Sequence, residues 1–98
     1  MTFYRSTVLV SVDPVSVSKG ALEVKEKLIS ELKRLNLDSE VFVAETARIG
    51  NPDEEGPDIL VYPEETHYIS LTPDTVPLLV EEHFIKGREL KQYAAMMR

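Results

Sequence analysis

The chain contains no cysteine. That absence excludes disulfides, thiolate metal sites, thiol redox chemistry and iron–sulfur clusters held by cysteine, because each requires the sulfur itself. Histidine is scarce: His67 and His83 are the two present, too few for an ordinary zinc site without carboxylate help. Basic residues are the minority, with 11 Lys and Arg against 17 Asp and Glu and a formal net charge of −6. Nucleic-acid binding neutralises phosphates with clustered cations, so this balance speaks against it and for a protein partner. No long apolar run occurs, so no membrane span is expected. The start, Met1-Thr-Phe-Tyr-Arg-Ser, leads directly into a strand-like run and lacks the small-residue cleavage site of a secretory signal. Cytoplasmic residence is the resulting expectation.

What is present reads as one soluble globular domain over residues 1–98, with 43% hydrophobic and 29% charged residues. A chain of this size buries roughly 65% of its extended surface, enough for one modest core. Residues 6–12 form a β-branched run whose continuous Val8-Leu-Val centre predicts a strand buried on both faces. Asp13-Pro14 breaks it, and the segment to Lys19-Gly20 reads as loop. From Ala21 to about Leu37 the period becomes helical: Ala21, Val24, Leu28, Leu32 and Leu35 make one stripe, and Glu23, Glu26, Lys27, Ser30, Lys33 and Arg34 the opposite face. Ser18 is the expected N-cap.

Residues 40–44 predict a second strand, parallel to the first because a helix intervenes. Residues 45–57 are a long polar loop, of a length usually kept for function. Residues 58–63 and 66–71 predict an antiparallel hairpin across Glu64-Glu65, with Thr66, Tyr68 and Ser70 on one face and His67, Ile69 and Leu71 on the other. A last helix is expected to start at Asp74, because Pro77 then occupies a position with no intrahelical bond to lose. Capping at Thr72 would make Pro77 delete one. Val76, Leu79, Val80 and Phe84 supply its apolar stripe, Gly87 stops it, and residues 88–98 are a further helical turn or a mobile tail. The order β-α-β-β-β-α is an α/β fold of the thioredoxin-like kind, a four-stranded mixed sheet with two main helices.

Several segments together resemble a known family. They are Val8-Leu-Val-Ser, Gly20-Ala-Leu-Glu-Val, Gly56-Pro before Ile59-Leu-Val-Tyr-Pro, and Thr72-Pro-Asp-Thr-Val-Pro-Leu-Leu-Val-Glu-Glu-His-Phe-Ile-Lys-Gly-Arg. They look like the thioredoxin-like 2Fe–2S ferredoxin domain, over roughly residues 6–90. The last run most resembles that domain at the N-terminus of NADH-binding, flavin-bearing subunits of bacterial NADH dehydrogenases and NAD-dependent hydrogenases. The resemblance implies four cysteine ligands: a C-x4-C pair, matching Ser11 and Ser16 here, and a C-x3-C pair, matching Arg48 and Pro52, with the loop about one residue longer than usual. Serine is a poor, hard ligand for iron, arginine is none, and proline offers no side-chain donor. Arg48 and Pro52 are not replacements an engineer would choose, so natural loss is expected, with no cofactor and no metal.

Other constellations have plainer explanations. Ser11, Ser16 and Asp13 with a histidine would be a hydrolytic site, but neither histidine is near in sequence and no nucleophile elbow occurs. His67 and His83 with Glu64, Glu65, Glu81 and Glu82 could ligate a metal, yet a histidine at a core edge more often packs and hydrogen-bonds. Asp53-Glu54-Glu55 either meets a basic partner or keeps a long loop solvated. Ser18-Lys19-Gly20 offers only a weak anion-binding signal at a helix start. No catalytic residue is therefore assigned. Two functional expectations follow. The first is a non-catalytic docking domain of an NADH-oxidising, flavin and iron–sulfur complex, contacting its neighbours through the loops around Ser11–Ser16 and Arg48–Pro52. The second is a stand-alone protein- or ligand-binding module with no redox role.

Overall fold

The computed structural model describes residues 4–47 and 57–94. Four strands, β1 (Ser6–Ser11), β2 (Val41–Thr46), β3 (Ile59–Tyr62) and β4 (Thr66–Tyr68), form one sheet in the order β2-β1-β3-β4. β2 runs parallel to β1, and β3 pairs antiparallel with both β1 and β4. The mixed sheet is therefore the one the element order predicts.

Register fixes which side chains share a face. Val8 lies opposite Val61, Val10 opposite Ile59, and Ile59 opposite Tyr68. These five are fully buried beneath helix α2 (Ala21–Arg34) and the C-terminal helical segment. α2 contributes Ala21, Val24, Leu28 and Leu32, and the C-terminal segment contributes Val76, Leu79, Val80 and Phe84. The predicted stripes are the buried ones. β1 is not sealed on both faces, however: its burial alternates, with Thr7 and Leu9 only partly covered on the second face.

α2 ends at Arg34, about three residues before the expected Leu37, through a Schellman closure. Asn36 takes a left-handed φ of 59°, Leu37 N–H bonds to Leu32 C=O at 2.7 Å, and Asn36 N–H bonds to Lys33 C=O at 3.1 Å. Its first residue is the expected Ala21, but its cap and the segment before it differ from the sequence reading. The segment expected as loop contains a short helix, α1 (Pro14–Ser18), capped by Asp13 with Pro14 in its first turn. Ser18 closes α1, its hydroxyl donating to Val15 C=O at 2.6 Å, and Gly20 caps α2 with a left-handed φ of 102°. Only glycine takes that conformation without strain.

The last helix also starts differently. A 3-10 turn (Pro73–Thr75) precedes helix α3 (Val76–Leu79), which runs into a π-helical stretch (Val80–Ile85). Thr72, not Asp74, is the cap: Thr72 N–H donates to Thr75 Oγ1 at 3.0 Å, and that hydroxyl donates back to Thr72 C=O at 2.8 Å. Pro77 deletes nothing, because the i→i+3 turn comes first and Pro77 falls at the second position of α3. Beyond the π stretch, Gly87 (φ 71°) turns the chain away as expected. Nearby, Lys86 and Arg88 hydrogen-bond to Glu82 and hold its carboxyl below the usual range.

β4 is shorter than predicted. Ser70 adopts a φ of 58° and ends the alternation after Tyr68. The chain then returns as a 3-10 turn (Lys91–Tyr93) against this edge, with Ile69 N–H bonded to Tyr93 C=O at 2.9 Å and a bridge between Tyr68 and Ala94.

Candidate functional site

Of the four positions matched to cluster ligands, the structure describes two. Ser11 is the last residue of β1 and is buried, with its N–H bonded to Asp58 C=O at 3.1 Å across the sheet. Ser16 lies in α1, also buried. Its hydroxyl donates to Asp13 Oδ1 at 2.6 Å and its N–H to Asp13 Oδ2 at 3.3 Å. One carboxylate thus caps the helix and engages the serine hydroxyl together. Arg48 and Pro52, and with them Asp53, Glu54 and Glu55, lie outside the described residues.

This cap gives a modest prediction. Asp13→Ala removes an N-cap acceptor and should lower stability by about 1 kcal/mol, within the roughly 0.5–2 kcal/mol typical of caps, measured by urea denaturation.

Behind Ser11 lies a polar pair that the sequence did not single out. Asp58 and His67 are 5% and 3% exposed, with Asp58 Oδ2 and His67 Nε2 2.9 Å apart. The register explains it. Asp58 and Leu60 point to the same face of β3, and His67 is paired with Leu60, so its ring reaches one diagonal step to the carboxylate. Asp58 opens the predicted strand, and only the β3–β4 register reveals its partner.

His83 belongs to a separate network. Its Nδ1 lies 2.7 Å from the Tyr68 hydroxyl and its Nε2 2.7 Å from Glu64 Oε2. The Tyr68 oxygen also accepts from Leu90 N–H at 3.0 Å. A neutral imidazole with its proton on Nε2 satisfies every partner: the phenol donates to Nδ1 and Nε2–H donates to Glu64. Burial pushes the Tyr68 phenol up to about 12, with the Leu90 N–H pulling the other way. The two histidines therefore serve different partners, and among the described residues no three His, Asp or Glu side chains gather as a metal would need.

The donor set does not fit a 2Fe–2S cluster. Cluster irons are held by thiolates, the chain has none, and the Ser16 hydroxyl is engaged by Asp13.

The architecture is that of a thioredoxin-like α/β domain. The wild-type thioredoxin-like 2Fe–2S ferredoxin from Aquifex aeolicus matches it with a TM-score of 0.85, covering 96% of this chain and 99% of that one at 20% identity. A single cysteine-to-serine variant of that protein matches with a TM-score of 0.82, covering 93% and 98%, at 22% identity. No protein-family model matches the chain. A 2Fe–2S ferredoxin of Clostridium pasteurianum is 37% identical over 75 residues, which span 76% of this chain and 72% of the relative. The chain belongs to the thioredoxin-like 2Fe–2S ferredoxin family. It does so without a cysteine. No helix of the described residues is long and apolar enough to cross a membrane.

Proposed function

We propose that this chain is a cluster-free, non-catalytic docking domain of an NADH-oxidising, flavin and iron–sulfur electron-transfer assembly. The observation that carries the reading is membership of a ferredoxin family by a chain with no cysteine. The scaffold has been kept while the ligands have gone, and the Asp13–Ser16 cap keeps one former ligand segment folded by other means. A retained shape with lost redox chemistry fits a role in packing against neighbours, while electrons pass through clusters held elsewhere. The contact surface in this reading is the end of the sheet that carries Ser11 and Ser16, with the Arg48–Pro52 loop. In this reading the chain is a single cytoplasmic domain over residues 1–98.

The test is a pull-down from lysate of the source organism with the tagged chain as bait, read by mass spectrometry. Recovery of NADH-, flavin- or iron–sulfur-bearing subunits is the expected result. Recovery only of proteins outside any redox complex, or of nothing above background, would overturn the docking role and favour a stand-alone binding module.

A further inference from the structure

The last helical segment carries a second apolar stripe that the core does not use. Val76, Leu79, Val80 and Phe84 pack inward, yet Leu78 is 40% and Ile85 54% exposed. Singly exposed apolar side chains are ordinary on a protein surface. These two instead line one open groove with Pro77 and with Leu35, the residue that caps the end of α2. The groove has a volume of about 510 Å³, and Arg34, Asp74 and Glu81 complete its walls. Arg34 is held by Glu31 at 2.7 Å. Among the described residues, Asp74 is exposed without an ion-pair partner, and Glu81 meets only Lys86, at 3.8 Å. The groove sits at the C-terminal end of α2, whereas Ser16 precedes its N-terminal end, about 20 Å of helix away.

We propose that this groove docks a basic amphipathic helix of another protein, its apolar side chains on Leu35, Pro77, Leu78 and Ile85 and its Lys or Arg over Asp74 and Glu81. Spacing and charge select that occupant. Leu78 and Ile85 are seven residues apart, and so are Asp74 and Glu81. A seven-residue step is two helical turns, about 10 Å, the repeat at which a second helix presents its own apolar and charged side chains. The one cation in the wall is neutralised by Glu31, so the carboxylates set the sign of the rim. The net charge of −6 extends that field beyond the groove and steers cationic partners toward it. The same field repels a second copy of this chain, a nucleic acid or an anionic lipid surface.

The apolar floor supplies the anchor and the rim supplies the preference. Exposed ion pairs contribute little each, about 0.2–1 kcal/mol, so affinity rests on burying Leu78 and Ile85, and the carboxylates choose between basic and acidic helices. Occupying the groove leaves the Ser11–Ser16 end of the chain free for a different neighbour.

Fluorescence anisotropy on the full chain tests this with a labelled, stapled helical peptide two heptads long, Leu at the a and d positions and Lys at e and g. A second peptide carries Glu in place of every Lys. The Lys peptide is expected to bind at micromolar concentration and to weaken as salt is added, and the Glu peptide to bind about tenfold more weakly or not at all. Leu78→Lys and Ile85→Lys, both at exposed positions, should each weaken the Lys peptide about tenfold or more with an unchanged circular dichroism spectrum. Asp74→Asn combined with Glu81→Gln, which leaves the apolar floor untouched, should weaken it about fivefold. Leu22→Lys, exposed near the other end of α2, should leave binding unchanged. Absent binding, equal binding of the two peptides, or binding that survives Leu78→Lys, Ile85→Lys or the loss of both carboxylates would overturn the proposal. So would a sedimentation coefficient of the chain alone that falls to the monomer value with Ile85→Lys, which would give the groove to a second copy.

Discussion

Tyr68→Ala is expected to lower stability by about 4 kcal/mol, within the roughly 3–5 kcal/mol typical of aromatic-to-alanine changes in cores. Tyr68 is fully buried and its hydroxyl joins three elements: it belongs to β4, bonds to His83 on the π-helical stretch, and accepts from Leu90 in the returning tail. Alanine opens a cavity and strands the His83 ring nitrogen and the Leu90 N–H together. For a domain whose total stability is about 5–15 kcal/mol, that loss brings the chain close to unfolding, readable as a collapsed urea midpoint. Tyr68→Phe separates the parts: it keeps the ring, loses the hydroxyl, and should cost about 1–2 kcal/mol.

The same hydroxyl gives an alkaline signature. The phenol is raised from 10.0 to about 12 in the folded chain, so the folded state holds this proton more tightly than the unfolded state does. The resulting stabilisation is fully present below pH 10 and is lost as pH rises through about 12, a swing of about 3 kcal/mol. Phenylalanine has no such proton. The stability gap between the unaltered chain and Tyr68→Phe should therefore shrink between pH 10 and 12. A gap that stays constant across that range would contradict the buried-phenol account.

The second large effect concerns the pair behind Ser11. His67→Leu leaves the Asp58 carboxylate buried without its imidazole, and breaking such a pair from one side costs about 3–5 kcal/mol. Adding Asp58→Asn removes the stranded charge and should recover part of the loss, although each change alone destabilises. Thermal or urea melts of the two single variants and the double variant give the coupling directly. Strict additivity would mean that the 2.9 Å contact carries no energy.

How much of this was legible beforehand depends on the range of the interaction. α2 could be read because its determinants are local: Ala21, Val24, Leu28 and Leu32 repeat at helical spacing, and Asn36 closes the end. The sheet order followed from one helix between two β-branched runs and a hairpin after them. α1 was misread although its signal is also local, since aspartate then proline describes a helix cap with proline at the first position as well as it describes a break. The last helix starts differently from the sequence expectation because a 3-10 turn precedes Pro77.

The site was legible only in part, for a different reason. Ser11 and Ser16 were found through resemblance, and the structure adds what engages Ser16. Asp58 meets His67 nine residues away, and Tyr68 meets Leu90 twenty-two residues away. Those contacts depend on strand register and on the tail's return, which no window of sequence contains.

Anaerobic reconstitution shows whether this ferredoxin scaffold can still take up a cluster. The chain is incubated with ferrous iron and sulfide, desalted, and assayed for bound iron, labile sulfide and visible absorption. A variant carrying Ser11→Cys, Ser16→Cys, Arg48→Cys and Pro52→Cys is treated alongside it. The unaltered chain is expected to emerge colourless and free of iron, while the four-substitution variant retains iron and sulfide with 2Fe–2S absorption. Stoichiometric iron and sulfide on the unaltered chain would contradict it.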